Sequence, residues 1–182
     1  MAPFFTAEGD SGKTGFLGKG RISKTSVRIE AVGSVDEANA ALGFARALTE
    51  LENIQAILLH IQKRLYLLMA ELSASVDSAE NFDRIGQKEI KWLESKIEDL
   101  ENEVELPREF IIPGESPGSS ALAVARTVVR RAERRVVALL EAKQINNPLL
   151  VVYLNRLSSL LFVLEVYETS QSGGEIRSVK EV

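Results

Sequence analysis

Five arginines fall within the eleven residues Ala125–Arg135, which read Ala-Arg-Thr-Val-Val-Arg-Arg-Ala-Glu-Arg-Arg. The segment lacks Gly and Pro and suits a helix. At about 3.6 residues per turn, Arg126, Arg130 and Arg134 stand in one file, with Arg131 and Arg135 in a second beside it. Glu133 lies one turn beyond Arg130. An arginine fork matches phosphate oxygens two at a time, so this face can hold a polyphosphate. The same spacing also describes a solvated basic face laced with ion pairs, and the arginines alone do not separate the two readings.

A second phosphate-binding candidate lies near the start of the chain. Thr6-Ala7-Glu8-Gly9-Asp10-Ser11-Gly12-Lys13-Thr14-Gly15 can wrap an anion with backbone N–H groups, or it can be a flexible tail. It is not a Walker P-loop, because Ala7 stands where that motif needs a glycine and no strand precedes it. Asn155 and Arg156 interrupt a leucine-rich helix at about the level of Arg134, where they can join the arginines. Phe110-Ile111-Ile112 is either a loop tucked onto the core or an apolar wall for a ligand.

Other chemistries are excluded by count. There are no cysteines and one histidine, His60, so thiol nucleophiles, Cys-ligated metals and sites needing two histidines are ruled out. A Ser-His-Asp hydrolase lacks its nucleophile elbow. His60 itself reads as a partly exposed structural residue. The net charge of −4 and a pI near 5.3 argue against a general nucleic-acid or membrane-surface binder. No transmembrane segment or secretory signal is expected, and a cytoplasmic location is the default.

The elements that must position these residues are helices. Residues 1–33 are punctuated by glycines and read as irregular. Ser34-Val35-Asp36-Glu37 reads as a capping box opening a first helix to about Leu48. Leu51, Ile54, Leu58, Ile61, Leu65, Leu68 and Leu72 repeat at spacings of three and four and predict a second helix to about Ala74. Ser75 to Phe82 reads as a polar connection. Ile90, Leu93, Ile97, Leu100 and Val104 predict a third helix from about Gly86 to Glu103, with Trp92 off its seam and packed on a neighbour. Leu106–Gly118 carries Pro107, Pro113 and Pro117 and reads as a loop. Ser119 or Ser120 is expected to cap the fourth helix, which ends near Gln144 and buries Leu122, Ala125, Val128, Val129, Ala132, Val136 and Leu139. Asn147 and Pro148 start the fifth, which buries Leu150, Val151, Leu154, Leu157, Leu160, Leu161 and Leu164 and ends near Ser170.

The expected fold is therefore all-α: an up-and-down five-helix bundle with ferritin-like, four-helix-bundle-type packing, preceded by an irregular Gly-rich N-terminal segment. A single domain of residues 1–182 divides into an N-terminal segment (1–33), the bundle (34–170) and a polar tail (171–182).

Five stretches, in order, resemble one family, the PduO-type ATP:cob(I)alamin adenosyltransferases. They are Thr6-x-x-Gly9-Asp10-x-Gly12-x-Thr14; Glu30-Ala31-Val32-Gly33-Ser34-Val35-Asp36-Glu37-Ala38-Asn39; Phe110-Ile111-Ile112-Pro113-Gly114; Ala125–Arg134; and Tyr153-Leu154-Asn155-Arg156-Leu157-Ser158. The resemblance implies a homotrimer with ATP bound between subunits. It also implies transfer of the 5′-deoxyadenosyl group of ATP to the Co(I) of a corrinoid, giving adenosylcobalamin and triphosphate. It implies Arg130 and Arg134 on the ATP phosphates, with Arg131 and Glu133 in the same segment and Asn155 on the nucleotide. Thr6, Glu8, Gly9, Asp10, Thr14, Gly15 and Lys24 become the N-terminal ATP-binding residues. Asp36 and Arg126 become a salt-bridge pair across subunits, counted with Arg130 as catalytic. Phe110 becomes the corrinoid-side aromatic that displaces the lower cobalt ligand. Mg²⁺ accompanies ATP, with no metal ligands assigned. A Co(II) reductase and an adenosylcobalamin-dependent acceptor enzyme are implied as partners. Ala7, Glu8, Glu115 and Ser159 depart from the family pattern where Lys, Thr, Gly and Asp are usual. A non-catalytic nucleotide- or corrinoid-binding helical module is the alternative.

Overall fold

The computed structural model describes Phe5 and residues 7–17, 20–74 and 84–181. Thr6 and the expected connection at Ser75–Phe82 lie outside the described residues. Five helices carry the fold: α1 (Val27–Leu48), α2 (Glu52–Ser73), α3 (Gln87–Glu101), α4 (Pro117–Glu141) and α5 (Leu149–Gln171). Helix α1 packs on α2 and α4, and α5 packs on α4 and α3. The buried faces are those of the three-and-four periodicity. Every α4 residue expected in the core is buried, and Ile54, Leu58, Ile61, Leu65, Leu68 and Leu72 of α2 are fully enclosed.

Two helix starts differ from expectation. Helix α1 begins at Val27, because the Ser26 side chain accepts a hydrogen bond from the Ile29 N–H at 3.3 Å. Ser34 lies inside the helix, where its hydroxyl donates to the Glu30 carbonyl at 2.8 Å. A Ser-x-x-Glu pattern inside a helix is indistinguishable from a capping box until its neighbours are placed. Here buried Arg28 and Ala31 continue the core stripe of Val35, Ala38 and Leu42 toward the N-terminus. Helix α4 begins at Pro117. Ser116 is its N-cap and Ser119 completes the reciprocal box, each bond at 3.0 Å. Pro117 therefore opens the helix rather than belonging to the loop before it. The start of α5 falls within one residue of expectation: Pro148 is the N-cap instead of the first helical residue, and Asn147 Oδ1 accepts from the Leu149 N–H at 3.1 Å.

The N-terminal segment is more ordered than its composition suggests. Strands β1 (Lys13–Gly15) and β2 (Arg21–Ser23) form an antiparallel hairpin with Thr14 opposite Ile22. Leu17 donates to the Ser73 carbonyl at 2.7 Å, which seats the hairpin at the C-terminal end of α2. Arg28 closes the same end from inside. Its guanidinium donates to the carbonyls of Leu72 at 2.6 Å, Ala74 at 2.9 Å and Gln144 at 2.6 Å. Those oxygens are among the orphan acceptors that helix ends leave. Burial disfavours the charged form of Arg28 and lowers its pKa.

The opposite end is closed by the C-terminal tail, which lies along the Phe110 loop. Ile112 N donates to the Arg177 carbonyl at 2.9 Å, and Val179 N donates to the Phe110 carbonyl at 3.0 Å. Helix α5 is long and apolar enough to cross a membrane, but 61% of its apolar window is buried inside the bundle, as a central helix requires.

Candidate functional site

The arginine face is built by α4 on a core that fixes its rotation. With Ala125, Val129, Ala132, Val136 and Leu139 buried, Arg130, Arg131, Arg134 and Arg135 are exposed. Their surroundings divide them. Arg131 pairs with Glu37 of α1 at 2.5 Å and acts as a strut between neighbouring helices. Neither Arg130 nor Arg134 has an ion-pair partner among the described residues, so both guanidinium groups remain available to an anion. Arg135 is also exposed.

Helix α5 supplies the second wall. Asn155 Nδ2 donates to Glu133 Oε1 at 3.1 Å, and its Oδ1 accepts from Arg156 at 3.2 Å. Arg156 in turn holds Glu94 of α3 at 2.9 Å. A cleft of about 320 Å³ opens between these elements, lined by Arg126, Arg130, Ser158, Ser159 and Phe162 among others. Ser159, one of the departures from the family pattern, therefore faces the arginines with a neutral hydroxyl.

A second cleft of about 320 Å³ lies on the other side of Arg126, bounded by Arg108, Glu109, Phe110, Ile111 and Phe162. Phe110 is 88% exposed, so its ring is not spent on the core. Arg126 and Phe162 line both clefts. The Arg126 guanidinium lies 5.8 Å from the Phe162 ring centroid, within cation–π range. Its Nε meets Glu165 Oε2 at 3.4 Å. Asp36 is exposed and has no ion-pair partner among the described residues, so the expected Asp36–Arg126 pair does not form within one chain.

The N-terminal candidates gather separately. Arg21 holds Glu8 by its carboxylate at 2.7 Å and by its carbonyl at 2.6 Å, and also holds the Lys13 carbonyl at 2.9 Å. Gly9 approaches Lys24 closely; an ideal Cβ there would stand 3.1 Å from Lys24 Nζ. Asp10 N donates to the Ala7 carbonyl at 3.1 Å, and Ala7 has a left-handed φ of 58°. Thr14 and Gly15 lie on β1. Among the described residues, no hydrogen bond or ion pair joins this group to Arg126, Arg130 or Arg134.

Glu165 and Phe162 were not singled out from the sequence. A signal was present: Glu165 is the first charge after Arg156 in an otherwise apolar run, and a buried carboxylate requires a partner. Glu115, another departure, is bound by Arg177 of the tail at 3.4 Å. His60 stacks on Trp92 with ring centroids 4.0 Å apart, which gives both residues a structural role between α2 and α3.

Comparison with known proteins identifies the family and the fold. The cobalamin adenosyltransferase family model matches residues 4–168. A corrinoid adenosyltransferase of Bacillus subtilis is 38% identical over 175 residues, covering 93% of this chain and 88% of the relative. The corrinoid adenosyltransferase PduO of Salmonella typhimurium is 39% identical over 170 residues, covering 92% of this chain and 50% of that protein. Among solved structures, a variant PduO-type ATP:corrinoid adenosyltransferase from Lactobacillus reuteri, complexed with cobalamin and ATP, superposes with a TM-score of 0.92. It is 31% identical and covers 98% of this chain and 99% of that one. A second variant of the Lactobacillus reuteri protein, complexed with ATP, gives a TM-score of 0.89 at 32% identity, covering 96% and 99%. With the family model matching residues 4–168, relatives 38% and 39% identical over nine-tenths of the chain and the same bundle in solved structures, this chain belongs to the cobalamin adenosyltransferase family.

Proposed function

We infer that this protein is an ATP:corrinoid adenosyltransferase. The observation that carries the reading is the pair of clefts meeting at Arg126, one walled by unpaired arginine and the other by exposed Phe110. The reaction needs two adjoining sites of opposite character: a cationic one for a triphosphate and an apolar one for the face of a corrin ring. The Co(I) electron pair attacks C5′ of ATP, a cobalt–carbon bond forms, and the C5′–O bond breaks with its electrons leaving on triphosphate. The nucleophile is the substrate metal, so the protein supplies position and charge rather than a nucleophile of its own.

In this reading Arg130 and Arg134 hold the triphosphate, Asn155 and Glu133 border it, and Phe110 and Phe162 meet the corrin. Phe110 keeps the lower axial ligand away from cobalt, which eases reduction of Co(II). Magnesium enters with ATP. Among the described residues no three acidic or imidazole side chains converge on a cation position.

The N-terminal nucleotide contacts come from a second copy of the chain. The hairpin of each chain is seated where α2 ends, and Arg130 lies eleven residues before Glu141, the last residue of α4. That is roughly 16 Å at 1.5 Å per residue. A homotrimer would bring Thr6, Glu8, Gly9, Asp10, Thr14, Gly15 and Lys24 of one chain, and its Asp36, onto the arginine face of the next. A reductase that delivers Co(I) and an acceptor that consumes adenosylcobalamin are the reaction classes on either side.

Incubation with MgATP and chemically reduced cobalamin is expected to give the light-sensitive spectrum of a cobalt–carbon bond together with triphosphate. Nucleotide binding without turnover would instead identify a non-catalytic module. Sedimentation tests the trimer separately.

A further inference from the structure

The two clefts share one wall, and that wall is set from beneath by a group that neither cleft exposes. Glu165 is 1% exposed, within a helix segment where Leu160, Leu161, Val163, Leu164 and Val166 are all buried. Its Oε2 accepts from Arg126 Nε at 3.4 Å, and its Oε1 is buried with no hydrogen-bond partner among the described residues. The same side chain borders the small space behind Ile111, Ile112, Pro113 and Gly114, the loop that follows Phe110. Arg126 spans the distance from this carboxylate to both clefts, its guanidinium lying by the Phe162 ring.

Resting on the reading of the two clefts given above, we propose that Glu165 is a positioning residue: it aims Arg126 so that the arginine wall and the Phe110 wall keep a fixed relation. Glu165 is too deeply enclosed to touch either substrate, so it acts through Arg126. It is also not the side chain that stability alone would select. A carboxylate with one unpartnered oxygen in an apolar helix is costly to bury. Desolvation raises its pKa and outweighs the opposing attraction of Arg126. The contact engages only Nε of Arg126, so the terminal guanidinium nitrogens stay open to a second carboxylate from a neighbouring copy. Local stability is thus given up where two binding surfaces meet, a pattern of sites kept for function.

The test is a double-mutant cycle on the full-length enzyme with Glu165→Gln, Arg126→Lys and the double variant. It reads kcat/KM for reduced corrinoid, the ATP dissociation constant by calorimetry, and thermal stability at neutral pH. Glu165→Gln is expected to keep or raise Tm and to hold ATP within about twofold. It should lose on the order of tenfold in kcat/KM, equivalent to about 1.4 kcal/mol. The double variant should be no worse than the worse single one. Wild-type kcat/KM in Glu165→Gln, or losses that multiply in the double variant, overturns the role of Glu165. Should Glu165→Gln fail to fold, Glu165→Asp keeps the charge but shortens its reach, and wild-type kcat/KM there overturns the proposal equally. A wild-type protein that makes no cobalt–carbon bond refutes the functional reading itself, a result distinct from all of these.

Discussion

Asn155 on α5 donates from Nδ2 to Glu133 Oε1 on α4 across 3.1 Å, binding a carboxylate that lies between Arg130 and Arg134 in sequence. Left free, Glu133 is one helical turn from Arg130 and can pair with it, which would neutralise part of the phosphate-binding face. Asn155→Ala is therefore expected to raise KM for ATP by roughly 10- to 150-fold, the worth of about 1.5–3 kcal/mol for a hydrogen bond to a charged group. Steady-state kinetics with ATP varied check this. An unchanged KM would show that Glu133 does not compete for the arginines.

Arg130 and Arg135 are both exposed on α4, and Arg130 lines the cleft it shares with Arg126. Arg130→Ala is expected to lower kcat by about 10²–10³, the loss typical of one preorganised contact to developing charge. Arg135→Ala should stay within about twofold. Equal losses in both would mean that the face acts through general positive potential rather than through a fixed clamp.

The helical stripes were legible because burial enforces period: the leucine seam of α2 and the apolar face of α4 could not pack any other way. The approach of Asn155 to the arginine segment was legible from register, and its bond to Glu133 shows it. The start of α1 was obscured by Gly33 and by a capping-box pattern inside the helix, which only the burial of Arg28 and Ala31 resolves. The hairpin escaped because three-residue strands in a Gly-rich segment leave almost no alternation to read. Arg131 looked like its neighbours until Glu37 was placed beside it. The Arg126–Glu165 contact joins residues 39 positions apart, which no local pattern reports.

Arg28 binds the carbonyls of Leu72, Ala74 and Gln144 and so ties α1 to the ends of α2 and α4. Arg28→Met fills similar space but leaves three acceptors without their donor. The expected cost is about 3 kcal/mol, which for a domain of this size lowers Tm by roughly 6–12 °C. Calorimetric melting tests it, and a Tm within about 2 °C of wild type would show that water satisfies those oxygens.

Gly118, in the first turn of α4, packs against the Glu168 side chain. A Cβ there would fall 2.8 Å from Glu168 Cδ and closer still to Oε1. Glu168 cannot easily swing aside, since it is 4% exposed and accepts from the Thr49 hydroxyl at 2.6 Å. Gly118→Ala is expected to destabilise by about 1–3 kcal/mol through overpacking. Thr49→Val should remove part of that penalty by releasing Glu168. Additive costs in the double variant would argue that Glu168 is not the obstacle.

His60 gives the stability a pH dependence. Desolvation and the nearby Arg64 charge lower its pKa from the ordinary 6.5, with Lys63 acting the same way and Glu89 opposing. The folded state therefore prefers neutral imidazole, stacked on Trp92. Between the folded value and 6.5 the unfolded chain binds the extra proton, so stability falls as pH drops through that window. The contribution is fully present above 6.5 and is lost once pH passes below the folded value. His60→Phe retains an aromatic partner for Trp92 and cannot titrate. Melting curves from pH 7.5 to 5 are expected to show a shallower loss in this variant than in wild type, and parallel curves would remove His60 as the source.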